Sequence, residues 1–263
     1  MDRDVAPWWS PREIARQEAT IRESQDSSQM DVRNDFASYR ALAEGQDPIS
    51  AGLHLHNPYE PIHVGALCRD YVNVVRRELR VEPARIADLG CGAGFTTAEI
   101  KRTWAKAEVV GVDVSQDAIR FAQSAWSECR FEARAIDPEA RLSDTRFDVL
   151  LCQEFYPFTR TDSLDEHKIW MKFLLNNLDS DGIAVVTVSS ANKDSINATY
   201  KRLKGSFDVR CMVLATPRIS RRVPFGVSLA LGTIMSRIAP VRARSVYILR
   251  KQSGLEDTVR VFN

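Results

Sequence analysis

Residues 87–95 read Ala87-Asp88-Leu89-Gly90-Cys91-Gly92-Ala93-Gly94-Phe95. A short apolar run, Ile86 to Leu89, leads into three glycines at alternate positions, and a helix-compatible stretch follows over about 95–105. Without a Cβ, a glycine lets the backbone turn sharply and lets a ligand approach it closely. The helix that opens behind the turn offers unpaired N–H groups to polar or anionic ligand atoms. The spacing separates this loop from the dinucleotide pattern G-x-G-x-x-G. Its third glycine, Gly94, comes one residue early, and Phe95 stands where the dinucleotide pattern has its last glycine. An acid, Asp88, sits two residues before the first glycine. Asp113 closes a second apolar run, 21 residues after Gly92. A carboxylate at the end of that strand can accept both hydrogen bonds of a ribose diol.

Outward from the loop, short apolar runs alternate with helical patterns. Strands are predicted at 86–89, 109–113, 130–135, 147–152 and 183–188, with two more at 207–214 and 245–249. Helices are predicted at about 95–105, 115–127, 163–178 and 195–203. Such alternation implies a parallel sheet covered on both faces. The last two strands have no comparable helix pattern between them and are expected to pair antiparallel. Upstream, residues 1–80 look helical. Ser10-Pro11-Arg12-Glu13 has the form of a capping box, a second helix is expected over about 31–44, and a third over about 62–79. Between them, residues 45–61 hold three prolines and two glycines and read as irregular.

Three stretches together, ADLGCGAGF (87–95), VVGVDVSQDAIRFAQ (109–123) and FDVLLCQEF (147–155), resemble the class I S-adenosylmethionine-dependent methyltransferase family. The resemblance implies an α/β fold. Its sheet is Rossmann-like and seven-stranded, mostly parallel with an antiparallel last strand, and carries a helical N-terminal extension. It implies S-adenosyl-L-methionine as cofactor. By position, Asp88, Gly90, Cys91, Gly92 and Gly94 would hold its methionine end. Asp113 would take the ribose hydroxyls and Val114 would pack on the adenine. Asp137 would lie near the adenine amino group, and Cys152, Gln153 and Glu154 would line the cofactor and face the acceptor. The expected organisation is a helical arm or lid over 1–61, a methyltransferase domain over 62–252 with an insertion at 216–242, and a tail over 253–263.

Methyl transfer from a sulfonium is a direct displacement, in which the protein aligns the reactants and excludes water. A hydroxyl acceptor benefits from a general base. The chain has four histidines. His54, His56 and His63 lie before or within the third helix. His167 lies beyond the fourth strand, where loops after carboxyl ends of strands build sites in open parallel sheets. His167, Glu154 and His63 are therefore the base candidates. Tyr156 and Phe158 either shape an acceptor pocket or belong to the core. Trp8 and Trp9 either cover the site or anchor the arm. His54-Leu55-His56 lacks acids or cysteines at ligand spacing, so no metal is expected. The five cysteines (68, 91, 129, 152, 211) form no CxxC pair, which suits a reducing compartment better than a disulfide or zinc framework.

Charge is distributed unevenly. The whole chain carries +1, yet residues 201–251 hold twelve bases against one acid, Asp208. Arginines flank residues 223–236, a 14-residue uncharged run too short to span a bilayer. Two readings stand for residues 216–244. The segment contacts an anionic membrane or lipid-linked substrate, or it is a helical flap docked on the protein with a solvated basic face. Nucleic acid is disfavoured because the bases are scattered and no aromatic stacking platform accompanies them. The opening residues, MDRDVAPWWS, carry acids where an export signal carries bases, so a cytoplasmic protein is expected, peripheral to the inner membrane face in the first of those readings. The expected activity is O-methylation of a hydroxyl on a small molecule, saccharide or lipid-linked saccharide. Alternatives are N- or C-methylation of a natural product, or a non-catalytic cofactor-fold protein that binds a membrane or protein through 216–244.

Overall fold

The computed structural model describes residues 40–41, 43–45, 61–79, 81–153, 155–159, 163–188, 208–220, 222–238 and 243–251. The helices expected around Ser10 and over 195–203, most of the 31–44 helix, His54, His56, Trp8 and Trp9 lie outside the described residues. Of the arm, residues 40, 41 and 43 are helical, and the turn ends on Gly45 at φ 92°.

Helix α1 (Pro61–Glu78) buries Cys68, Tyr71, Val72, Val74 and Val75, residues at three- and four-position spacing that make one apolar stripe. Strand β1 (Arg85–Leu89) follows, then α2 (Phe95–Thr103), β2 (Glu108–Asp113), α3 (Gln116–Ala125) and β3 (Arg130–Ala133). Ser115 caps α3 by accepting the Ala118 N–H. After β4 (Phe147–Gln153) come a single turn α4 (Tyr156–Thr159) and α5 (Leu164–Asn177). Ser163 caps α5 by accepting the Glu166 N–H, which gives Ser163-Leu164-Asp165-Glu166 the capping-box form. Strands β5 (Leu178–Val188) and β6 (Asp208–Ala215), helices α6 (Pro217–Ser220) and α7 (Phe225–Ile238), and strand β7 (Ala243–Arg250) complete the order.

The sheet has seven strands in the order β3-β2-β1-β4-β5-β7-β6. Pairs from β3 through β5 are parallel, and β7 runs antiparallel to both β5 and β6. This is the expected architecture, antiparallel last strand included. One apolar layer joins Leu89, Val112, Leu150 and Val186 of the sheet to Trp170, Phe173 and Leu174 of α5. The other joins Ile86, Leu151, Val185 and Ile248 to α1 and to Ile100 and Trp104 near the end of α2. The chain reverses its direction of winding between β1 and β4, so the crevice beyond their carboxyl ends is the natural ligand position.

Two boundaries depart from the sequence expectation. Strand β5 begins at Leu178, five residues before Ile183, because Leu178 pairs with Phe147 while Ile183 pairs with Val149. The surplus residues, Asp179 to Gly182, form an irregularity whose acids face solvent, and a Cβ at Gly182 would lie 2.8 Å from the Phe147 carbonyl oxygen. Second, residues 225–238 form one continuous helix although Gly226 and Gly232 interrupt the apolar pattern. Gly232 is where α7 crosses β6: a Cβ there would lie 2.4 Å from the Leu214 carbonyl carbon, so the two backbones meet directly.

Candidate functional site

The three glycines all adopt left-handed backbone, with φ of 74° at Gly90, 53° at Gly92 and 76° at Gly94. L-residues with a Cβ seldom enter that region, which is why the pattern is glycine at every second position. The turn is fastened to β2: the Gly90 and Cys91 N–H groups donate to the Val112 carbonyl at 2.8 and 3.2 Å. Gly94 then opens α2, and a Cβ on it would stand 2.7 Å from the Phe131 ring and 3.0 Å from the Ala122 methyl. The third glycine thus serves packing between α2, α3 and β3. Over the first, the Phe155 ring lies 3.1 Å from where a Gly90 Cβ would be, so Phe155 crosses from the end of β4 above the loop. Phe95 meets the Trp126 ring edge-on at 5.6 Å, and the Trp126 indole N–H donates to the Ala93 carbonyl at 3.0 Å.

Asp113 and Asp88 hold opposite sides of this turn. The Asp113 carboxylate accepts the Gly92 N–H at 2.8 Å on Oδ2 and the Ser115 N–H at 2.8 Å on Oδ1. A carboxylate oxygen takes two hydrogen bonds, so each keeps capacity for a ligand donor. Burial raises the Asp113 pKa, against the opposing pull of the Ser115, Gly92 and Val114 N–H groups. Asp88 is buried beneath the loop and accepts the Thr97 hydroxyl at 2.7 Å. Burial pushes its pKa up to about 6; the Thr97 bond lowers it, and the charge of Asp113 adds to the rise. At the end of β4, Gln153 Oε1 accepts the Thr96 hydroxyl at 3.1 Å, which ties the acceptor side of the crevice to the first turn of α2. Val114 is 36% exposed beside Asp113, an apolar surface left uncovered at the mouth. Asp137 is exposed and accepts the Glu139 N–H at 2.9 Å, capping a turn beyond β3.

The acceptor-side expectations fare differently. His167 is wholly buried on α5, with its ring 5.7 Å from that of Phe158. The imidazole is thus enclosed by side chains and shows no surface to solvent. Phe158 is likewise buried, against Phe155 and His167. Burial leaves Cys152 a packing residue, and it raises the thiol pKa of Cys91 and Cys152 well above the ordinary value, which keeps both protonated. Glu154 and the side chains of Tyr156 and His63 lie outside the described residues. The sequence reading missed Thr96, Thr97 and Phe155. The first two occupy the opening turn of the helix behind the loop, where side chains reach back over it. The rule that placed Glu154 at the crevice applies equally to its neighbour Phe155. Among the described residues no three His, Cys, Asp or Glu side chains gather closely enough to hold a metal ion.

These residues suit S-adenosyl-L-methionine. Glycine backbone lies where a Cβ at Gly90 would crowd Phe155, the anchored carboxylate of Asp113 keeps acceptor capacity for a diol, and Val114 offers an exposed apolar face for a base. Fold and site together define a class I S-adenosylmethionine-dependent methyltransferase. A family model described as a methyltransferase domain matches residues 82–220, more than half of the chain, and the chain belongs to that family. It is 30% identical over 106 residues to a trans-aconitate 2-methyltransferase of Rhodopseudomonas palustris (strain HaA2), covering 40% of this chain and 39% of that one. It is 27% identical over 182 residues to a ubiquinone biosynthesis O-methyltransferase of Bradyrhizobium diazoefficiens, covering 67% of this chain and 69% of that one. The chain thus spans about two fifths of the Rhodopseudomonas relative. The plantazolicin methyltransferase BpumL, solved with SAH, superposes with a TM-score of 0.53 at 15% identity, over 90% of this chain and 99% of that one, a likeness of fold.

Proposed function

We propose that this protein transfers the methyl group of S-adenosyl-L-methionine to an oxygen of a small-molecule, saccharide or lipid-linked acceptor. The observation that carries the cofactor half is the anchoring of Gly92 by Asp113 within a turn of three left-handed glycines. The oxygen half is supported by the Bradyrhizobium relative, whose name specifies O-methylation and whose match runs through two thirds of both chains. When bound, the cofactor supplies an electrophilic methyl group for direct displacement. Asp113 accepts the diol donors, Asp88 and the glycine turn hold the amino-acid end, Val114 covers the base, and Gln153 borders the acceptor. Asp137 stands at the adenine side. The carboxylate of Glu154, one residue past Gln153, and the imidazole of His63 on α1 are the proposed bases that remove the acceptor proton. The arm over 1–61 acts as the lid: its Arg40 lies 3.8 Å from Asp117 in the first turn of α3, four residues beyond Asp113.

Purified protein incubated with methyl-labelled cofactor and separate pools of hydroxy compounds, saccharides, carboxylic acids and amines tests this. Label in an oxygen-linked product, as an alkali-stable ether or an alkali-labile ester, is the expected result. Label confined to the amine pool, or firm SAH binding with no label anywhere, overturns the acceptor assignment. Absence of any heat on mixing with SAH overturns the cofactor assignment itself.

A further inference from the structure

Helix α7 is apolar on both sides. Its inner side, Phe225, Ser228, Leu229 and Gly232, docks on β6 and the sheet layer beneath α1. The opposite side is not the polar surface that a docked helix ordinarily turns to water. Val227, Ile234 and Ile238 are 44%, 55% and 77% exposed, at positions i, i+7 and i+11, and the exposed Ala230 falls on the same stripe. The six large hydrophobic residues most exposed among the described ones include all three. Val114, another of the six, sits at the cofactor mouth; nothing in the site accounts for the three on α7. By contrast, α5 turns Asp165, Lys168 and Lys172 outward.

The charge around this stripe has one sign. No acid occurs from residue 209 to 255, a stretch that holds nine bases. Four of those are engaged within the fold: Arg244 pairs with Asp70, Arg210 and Arg250 pair with Glu78, and Lys251 donates to the Leu178 carbonyl. Arg222, just before α7, and Arg237, in its last turn, are exposed. An apolar stripe bracketed by exposed cations on a helix too short to cross a bilayer is the arrangement that lies in a headgroup layer, with its apolar residues in the acyl boundary and its guanidinium groups on phosphate. No helix among the described residues is long and apolar enough to cross a membrane. The ends of the insertion meet on the carboxyl side of the sheet, because Ala215, which ends the outer strand β6, pairs with Ala243, which begins β7.

We infer that α7 docks this protein on an anionic lipid surface through Val227, Ala230, Ile234 and Ile238, with Arg222 and Arg237 binding headgroup phosphates. The contact is independent of which acceptor is methylated. The full chain is floated with vesicles of phosphatidylcholine alone or with 30% phosphatidylglycerol (roughly the anionic content at which basic segments bind), at low and at high salt. Expected is flotation with the anionic vesicles at low salt, little with neutral ones, and loss at high salt. Ile234→Ser/Ile238→Ser should reduce the floated fraction about fivefold or more, and Arg222→Gln/Arg237→Gln should do likewise, while both variants keep wild-type SAH affinity. No flotation on anionic vesicles overturns the inference, as does equal flotation of the serine variant. A wild-type dimer in sedimentation that becomes monomeric in the serine variant, without flotation, assigns the stripe to a second copy instead. Unchanged SAH binding across these variants keeps a failure here separate from a failure of the cofactor site.

Discussion

The carboxylate of Asp113 accepts the backbone N–H of Gly92 at 2.8 Å across 21 residues of chain. That bond links the end of β2 to the middle of the glycine turn, so one side chain shapes the cradle. Replacing Asp113 with alanine removes a charged acceptor from the loop N–H and, on the proposed reading, from the ribose donors together. Charge-assisted hydrogen bonds contribute about 1.5–3 kcal/mol each. Loss of one ligand bond alone corresponds to roughly 10- to 100-fold in affinity. Calorimetric titration with SAH should show at least a tenfold rise in Kd for Asp113→Ala, and an unchanged Kd would remove Asp113 from the site.

Gly94 and Gly45 share positive φ, 76° and 92°, but not their surroundings. A Cβ at Gly45 meets nothing within 4 Å, whereas one at Gly94 meets the Phe131 ring at 2.7 Å. Gly45→Ala should therefore cost about 1 kcal/mol, the left-handed penalty alone. Gly94→Ala should cost that plus the displacement of Phe131 from α2 and α3, in total about 2–4 kcal/mol. Urea denaturation of the two variants gives both values, and equal losses would refute the close packing of α2 on β3.

What could be read beforehand followed the range over which each signal acts. The strand, turn and helix of 85–103 declare themselves locally: glycine at every second position has one backbone meaning, and the apolar runs have one period. The extension of β5 back to Leu178 was hidden because its polar residues are held by pairing with β4, not by their own pattern. Glycine disfavours a helix by propensity, yet Gly232 is the residue that lets α7 touch the backbone of β6. His167 looked well placed by topology, but the face of α5 on which it falls is decided by how that helix rolls onto the sheet. The partnership of Asp70 with Arg244 joins residues 174 apart and leaves no trace in either neighbourhood.

That pair invites a double substitution. Asp70 and Arg244 are both buried, Asp70 Oδ1 and Arg244 Nε and Nη1 find no hydrogen-bond partner among the described residues, and burial raises the Asp70 pKa against the pull of Arg244 and Ser220. Removing one member leaves a buried charge uncompensated, so Arg244→Met should destabilise the fold by about 3–5 kcal/mol. Asp70→Leu combined with Arg244→Met removes both charges and should recover most of that loss. A double variant as unstable as the single one would mean the pair positions α1 and β7 by more than mutual neutralisation.

Asp88 should make stability fall as pH rises through the acid range. Its pKa is about 6 in the fold, against 3.8 as the ordinary value. Between those values the folded state holds a proton that the unfolded state has released, so ∂ΔG/∂pH is negative there; below 3.8 and above about 6 the two states hold equal numbers. The full penalty is about 3 kcal/mol, and roughly half of it develops between pH 5 and 7.5. Asp88→Asn keeps an oxygen for the Thr97 hydroxyl but never ionises. The difference in unfolding free energy between variant and wild type cancels the titration of Asp113 and the other acids. That difference should shift by about 1.5 kcal/mol in favour of the variant from pH 5 to 7.5. If Asp88 holds the cationic amino end, as proposed, SAH affinity should move the other way: wild-type binding strengthens as pH passes 6, and Asp88→Asn binds weakly at every pH. A stability difference independent of pH would show that Asp88 does not titrate between pH 5 and 7.5 in the fold.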